Sequence, residues 1–145
     1  MLYHFDMMKI FATILLLVFG VCVANSDEFV PDFDAMKVLR CEFVETIYNQ
    51  DGSEVSQSDL FRIYSLEEEY KRIYLRREPI DNVSYYEADK IEFRLQSMTD
   101  DYISITNATI NRQTGEYTST SRITYDNPIF GVRSAKAVGT CRALN

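Results

Sequence analysis

The chain reads as an all-β protein, an antiparallel meander of six to eight short strands forming either a small barrel or a two-layer sandwich. Three observations predict this class. Aromatic residues are abundant, with 10 Tyr and 9 Phe against only 5 Gly and 3 Pro, a balance that favours half-buried pleated strands. Apolar and polar residues alternate along most of the chain, the period-two signature of a strand with one buried face. Turn-forming clusters separate those stretches at short intervals. A length of 145 residues suits one domain. A hydrophobic fraction of 46% against 26% charged supplies material for a core.

Residues 1–26 read as a secretory signal peptide, which leaves residues 27–145 as a single all-β domain. Lys9 precedes an apolar run over residues 10–24, and the small residues Ala24 and Ser26 stand before the acidic Asp27-Glu28. The run is short for a membrane span, which argues against an uncleaved anchor. Met8 makes a more natural start than Met1, because the preceding residues add an acid and no base. Cleavage after Ala24 or after Ser26 removes Cys22, and Phe19-Gly20-Val21 ahead of that cysteine is a poor lipidation signal. Cys41 and Cys141 remain. An even pair in an exported chain is most simply a disulfide. It closes a loop of 100 residues, to which chain entropy assigns about 4–5 kcal/mol. The absence of a C-x-x-C motif argues against a redox-active pair.

Charge narrows the partners. The net charge of −7 is unchanged by removing residues 1–26, which carry one acid, Asp6, and one base, Lys9. Nucleic acid and anionic lipid are therefore not expected at the surface as a whole.

The elements follow in order. Residues 27–35 form an acidic, aromatic lead-in. Residues 36–48 alternate as a long strand, with Leu39, Cys41, Phe43 and Ile47 on one face and Arg40, Glu42 and Thr46 on the other. Asn49-Gln50-Asp51-Gly52 is a turn, because Asp-Gly accepts positive φ. A polar stretch leads to a short strand over residues 60–66, in which Phe61 and Ile63 oppose Arg62 and Tyr64. Residues 65–78 admit a helix, with a Ser65/Glu68 capping box and a stop before Pro79, or a strand with Ile73 and Leu75 inward. The β-rich surroundings favour the strand. Short extended pieces follow at residues 82–87 and 90–97, the latter placing Ile91, Phe93 and Leu95 on one face. Asp100-Asp101 turns into residues 102–110, where Ile103 and Ile105 share a face.

Asn111-Arg112-Gln113-Thr114-Gly115 then reads as a tight hairpin connection, with Asn111 in the turn and Gly115 supplying positive φ. The Thr/Ser-rich residues 117–125 suggest a strand at an edge or facing solvent. Residues 135–144, with Val138, Cys141 and small residues, close the chain. A Cys41–Cys141 bond would join the first strand to the last, as a barrel or a clamped sandwich requires.

Chemistry is sparse. The only histidine, His4, lies in the expected signal segment, which removes the usual general base and the common zinc sites from the domain. The five glycines are isolated, so no phosphate loop is present. Glu67-Glu68-Glu69 and Asp100-Asp101 occupy turn-like settings that suit solvated charge better than catalysis or calcium. No cofactor or metal is expected. One cluster suits binding: a strand would align Tyr70, Arg72, Tyr74 and Arg76 on one outer face, where rings beside guanidinium groups can hold an anion, a glycan or a peptide edge. The plainer reading pairs these bases with Glu67, Glu68 and Glu69 across a hairpin. In a eukaryotic secretory pathway Asn82-Val83-Ser84 and Asn107-Ala108-Thr109 would be glycosylation acceptors.

The tail, Ile110-Asn111-Arg112-Gln113-Thr114-Gly115-Glu116-Tyr117 with a later Gly139-Thr140-Cys141, resembles the ending of small exported bacterial proteins of unassigned function that carry an INRxTGxY hairpin and a late GxC. The resemblance implies a periplasmic or secreted protein with a structural hairpin and a disulfide. It implies no activity, substrate or catalytic residue.

The expected function is a non-catalytic exported β-domain, monomeric and without a membrane span after signal removal. It would bind a ligand or protein partner at the cell envelope through the Tyr/Arg face or a barrel mouth. The alternative is a hydrolase working through carboxylates alone. The two differ in what they need: converging acids in one concave pocket for the hydrolase, an aromatic patch or apolar cavity for the binder.

Overall fold

Alternation sets the first strand, β1 (Lys37–Tyr48), whose Leu39, Cys41 and Phe43 are buried while Glu42 and Val44 on the opposite face are exposed. The computed structural model describes residues 31–145, and the expected signal segment lies outside the described residues. At the end of β1 the Asp-Gly turn reverses the chain with Gly52 at φ 85°. The Asp51 carboxylate accepts bonds from the Ser53 amide and hydroxyl, which hold its pKa below the usual carboxylate value. β2 (Glu54–Glu67) follows, then β3 (Arg72–Leu75), β4 (Glu78–Pro79), β5 (Asn82–Tyr86), β6 (Lys90–Met98), β7 (Tyr102–Asn111), β8 (Glu116–Tyr125) and β9 (Val132–Ala143). The strand reading of the ambiguous segment therefore holds for Arg72–Leu75. The nine strands exceed the six to eight expected, because Glu78–Pro79 forms a two-residue ladder with β3.

All nine strands belong to one antiparallel sheet in the order β4-β3-β2-β1-β9-β8-β7-β6-β5. Its two edges, β4 and β5, are consecutive in the chain and separated only by Ile80 and Asp81. Pro79 and Asn82 can then be at most about 11 Å apart, three Cα steps, so the sheet must curl until its two edges approach each other at that point. The result is a curled half-barrel. Counting reversals along the sheet shows that β4 and β5 run in the same direction, so they act as one strand that leaves β3 and joins β6.

One end of the half-barrel is tied shut. The Cys41–Cys141 disulfide joins directly opposed residues of β1 and β9. Lys71, in the β2–β3 turn, pairs with Glu87 just after β5 at 2.7 Å, and Arg112 beyond β7 pairs with Glu68 in that same turn. The core gathers here: Tyr64, Leu66, Ile73, Ile91, Ile110 and Tyr117 are fully buried. Phe43 and Tyr117 stack with centroids 4.7 Å apart. They meet over Gly139, the register partner of both, where an added Cβ would overlap the Glu42 carbonyl oxygen.

One reading of the faces changes, and two shared faces expected from the sequence receive their direction. β8 is interior, between β7 and β9, rather than at an edge, and its Ser119 and Ser121 are buried. Ser121 and Thr106 of β7 share a hydrogen bond at 2.7 Å, so part of the Thr/Ser content forms an inner lining, while Thr120 and Thr124 face outward and are exposed. On β7 the inner face is Thr106, Ala108 and Ile110, whereas Ile103 and Ile105 point outward and are more than a third exposed. On β2 Tyr64 faces inward, while Phe61 and Ile63 face out.

Candidate functional site: a cleft in the half-barrel wall

The wall is incomplete where β3, β4 and β5 are too short to cover their neighbours. β2 has 14 residues, but only Tyr64 to Glu67 pair with β3, so its outer edge before Tyr64 is open. A cleft of about 770 Å³ occupies the gap between that edge and β6. Leu60, Leu75, Ile80 and Leu95 give it an inner apolar lining, Phe61, Ile63 and Pro79 add apolar surface, and Asp59, Arg62, Arg76, Glu78, Asp81 and Arg94 bring charge to it. Leu60 shows what the gap does. Its register partner is the core residue Phe43, so it belongs to the inner face, yet it is 41% exposed.

Arg62 is the inner-face charge at this cleft. It sits opposite Cys41, its guanidinium lies 5.4 Å from the centroid of the Phe43 ring, and its Nη1 donates to Tyr117 Oη at 3.1 Å. Tyr117 Oη in turn lies 3.4 Å from Tyr64 Oη, and Tyr64 packs edge-on against Phe93. Burial opposes the Arg62 charge, but Tyr117, Tyr64 and Glu45 outweigh it and raise the guanidinium pKa above its ordinary value. Burial, with Tyr117 beside it, pushes the Tyr64 phenol far above its ordinary value, so it stays protonated. Among the described residues no carboxylate forms an ion pair with Arg62.

The Tyr/Arg quartet expected on one outer face is distributed differently. Arg72 and Tyr74 lie on β3, while Tyr70 lies in the turn before it and Arg76 in the turn after, at φ 54°. Tyr74 is buried under the Phe33 ring, which meets it edge-on at 5.2 Å, and donates to Glu67 Oε2 at 2.8 Å. Burial and that bond raise its pKa. Arg72 reaches Glu67 at 3.9 Å and stacks over Tyr70. Of the four, only Arg76 lines the cleft.

No known protein family, curated protein or solved structure matches this chain. The site must therefore be read from its own geometry.

Asn111 and Gly115 shape the β7–β8 turn. The Asn111 side-chain oxygen accepts from the amides of Gln113 and Thr114 at 3.0 Å. Gly115, at φ 77°, donates to the Asn111 carbonyl and accepts from the Cys141 amide at 2.6 Å. The turn thus buttresses the disulfide. Asn82 and Asn107 are both exposed and flank Arg94 in one cross-strand row. Among the described residues no three His, Cys, Asp or Glu side chains converge to hold a metal, and no helix is long and apolar enough to cross a membrane.

Sequence reasoning missed Arg62, Leu60, Ile80 and Leu95 as site residues. The one available signal was a lone arginine on the Tyr64 face of a strand otherwise rich in apolar residues.

Proposed function

We propose that this chain is a non-catalytic binding protein that takes a small, largely apolar ligand into the cleft between β2 and β6. One observation carries the reading: inner-face leucine and isoleucine side chains line an opening of about 770 Å³, within the range of roughly 300–1,000 Å³ that small-molecule sites occupy. Apolar side chains left accessible inside a barrel wall gain free energy from an apolar occupant. The carboxylates at the cleft, Asp59, Glu78 and Asp81, are all exposed, which favours solvated rim charges over an acid and base pair buried with substrate. The disulfide supports an oxidising compartment, periplasmic or secreted.

Titration with an environment-sensitive apolar dye tests the reading. Saturable one-to-one binding is expected, with a loss of about ten-fold or more in Leu95→Glu, which places a charge in the lining. Dye binding that Leu95→Glu leaves unchanged, in a variant with unaltered circular dichroism, removes the cleft as the site.

A further inference from the structure

The apolar lining says what the body of a ligand would be, and Arg62 says what its head would be. A guanidinium offers five N–H donors in a fixed fork and suits carboxylate or another planar anion. Nη1 of Arg62 is directed to Tyr117 Oη, an uncharged acceptor. The surrounding groups are aromatic: Phe43 lies against the guanidinium, and Tyr64 stands beside Tyr117. A half-buried cation with only phenols and a ring for partners is desolvated without a counter-charge. Glu45 acts on it electrostatically but ranks last among its influences and makes no ion pair with it. Arg76 and Arg94, the other bases at the cleft, are exposed among the rim acids. Their charge is therefore solvated and offset.

We infer that the cleft takes an amphipathic ligand with one anionic head, which Arg62 holds inside the half-barrel while the apolar chain lies along Leu60, Leu75, Ile80 and Leu95. The inference rests on the binding reading above and narrows it to a ligand class. Tyr117 accepts from Nη1 of Arg62 and is itself fully buried, so it anchors the guanidinium, whose remaining N–H donors face the cleft that Arg62 lines. Charge-assisted bonds from these donors to an oxyanion are stronger than neutral ones, and a medium poorer than water strengthens them further. The protein's overall charge of −7 works against anions in bulk, so recognition depends on this local cation and not on long-range steering.

The test compares decanoate, decanol and decyltrimethylammonium against the disulfide-intact protein by calorimetric titration. Decanoate is expected to bind about ten-fold or more tighter than decanol, and decyltrimethylammonium weakest. Arg62→Met should bring decanoate down to the level of decanol while leaving decanol binding in place. Arg62→Gln, which keeps a donor for Tyr117, should do the same. Arg94→Gln should leave the preference intact. Equal binding of decanoate and decanol by the unmodified protein overturns the head-group inference and leaves the cleft reading standing. Binding of none of the three overturns both. A decanoate preference that survives Arg62→Met and disappears in Arg94→Gln places the anion at the rim and also overturns the inference. The wild-type comparison needs no Arg62 variant, and loss of the preference in Arg94→Gln overturns the inference by itself, so a failure of either Arg62 variant to fold leaves the test decisive.

Discussion

Gly115 shows how much one residue carries. Its φ of 77° belongs to the left-handed region, which costs a residue with a side chain roughly 1–2 kcal/mol. A Cβ there would also stand 2.8 Å from the Cys141 carbonyl oxygen, so backbone must move as well. Gly52 provides an internal comparison: its φ is 85°, but an added Cβ would meet nothing within 4 Å. Gly115→Ala should therefore destabilise the fold by more than Gly52→Ala, about 2–3 kcal/mol against about 1 kcal/mol. Denaturant unfolding of the two variants checks the order. Equal losses would mean that the Gly115–Cys141 approach contributes nothing. The sequence made Gly115 legible because turn chemistry is local. It did not reveal Arg62, whose importance comes from Tyr117, 55 residues away in the chain.

At the level of elements, strand existence and turns were readable, whereas the inward face was not always so. β1 presents a clean alternation, and its buried residues are the expected ones. On β2 and β7 both faces carry apolar residues, and Phe61, Ile63, Ile103 and Ile105 point outward. The physical reason is the limited volume inside a narrow barrel, where large and small side chains must alternate between strands. Tyr64, Phe93 and Tyr117 already fill that space, so Thr106, Ala108, Ser119 and Ala137 line it beside them, and Ile103 and Ile105 of β7 are left outside while Ile110 is buried. The β1–β9 junction yields a prediction of its own. Cys41 and Cys141 are register partners, and the loop they close spans 100 residues. Replacing both by Ala should lower unfolding stability by up to about 4–5 kcal/mol. Equilibrium unfolding of the double variant measures this. No loss on replacing both cysteines would show that the ladder alone holds the two strands in the unfolding transition.

Taken as a unit, residues 32–145 form a meander wrapped far enough for the last strand to pair with the first, with a seam at β4 and β5 that the chain itself crosses. The terminal cysteines made the pairing of first and last strands legible, but they suit a barrel and a clamped sandwich equally. The gap was not legible, because it arises from strand lengths: β3 ends early beside β2, and β5 ends early beside β6. The same curl creates a competing surface, since Val44, Ile103, Ile105 and Val138 are exposed on the outside of the sheet. Which surface a ligand uses is therefore the central question, and methyl-resolved NMR answers it directly. Titration with decanoate should move the methyl resonances of Leu60, Leu75, Ile80 and Leu95 and leave those of Val44, Ile103, Ile105 and Val138 in place. Shifts confined to the outer group, with the cleft methyls unmoved, would contradict the assignment of the cleft as the binding site.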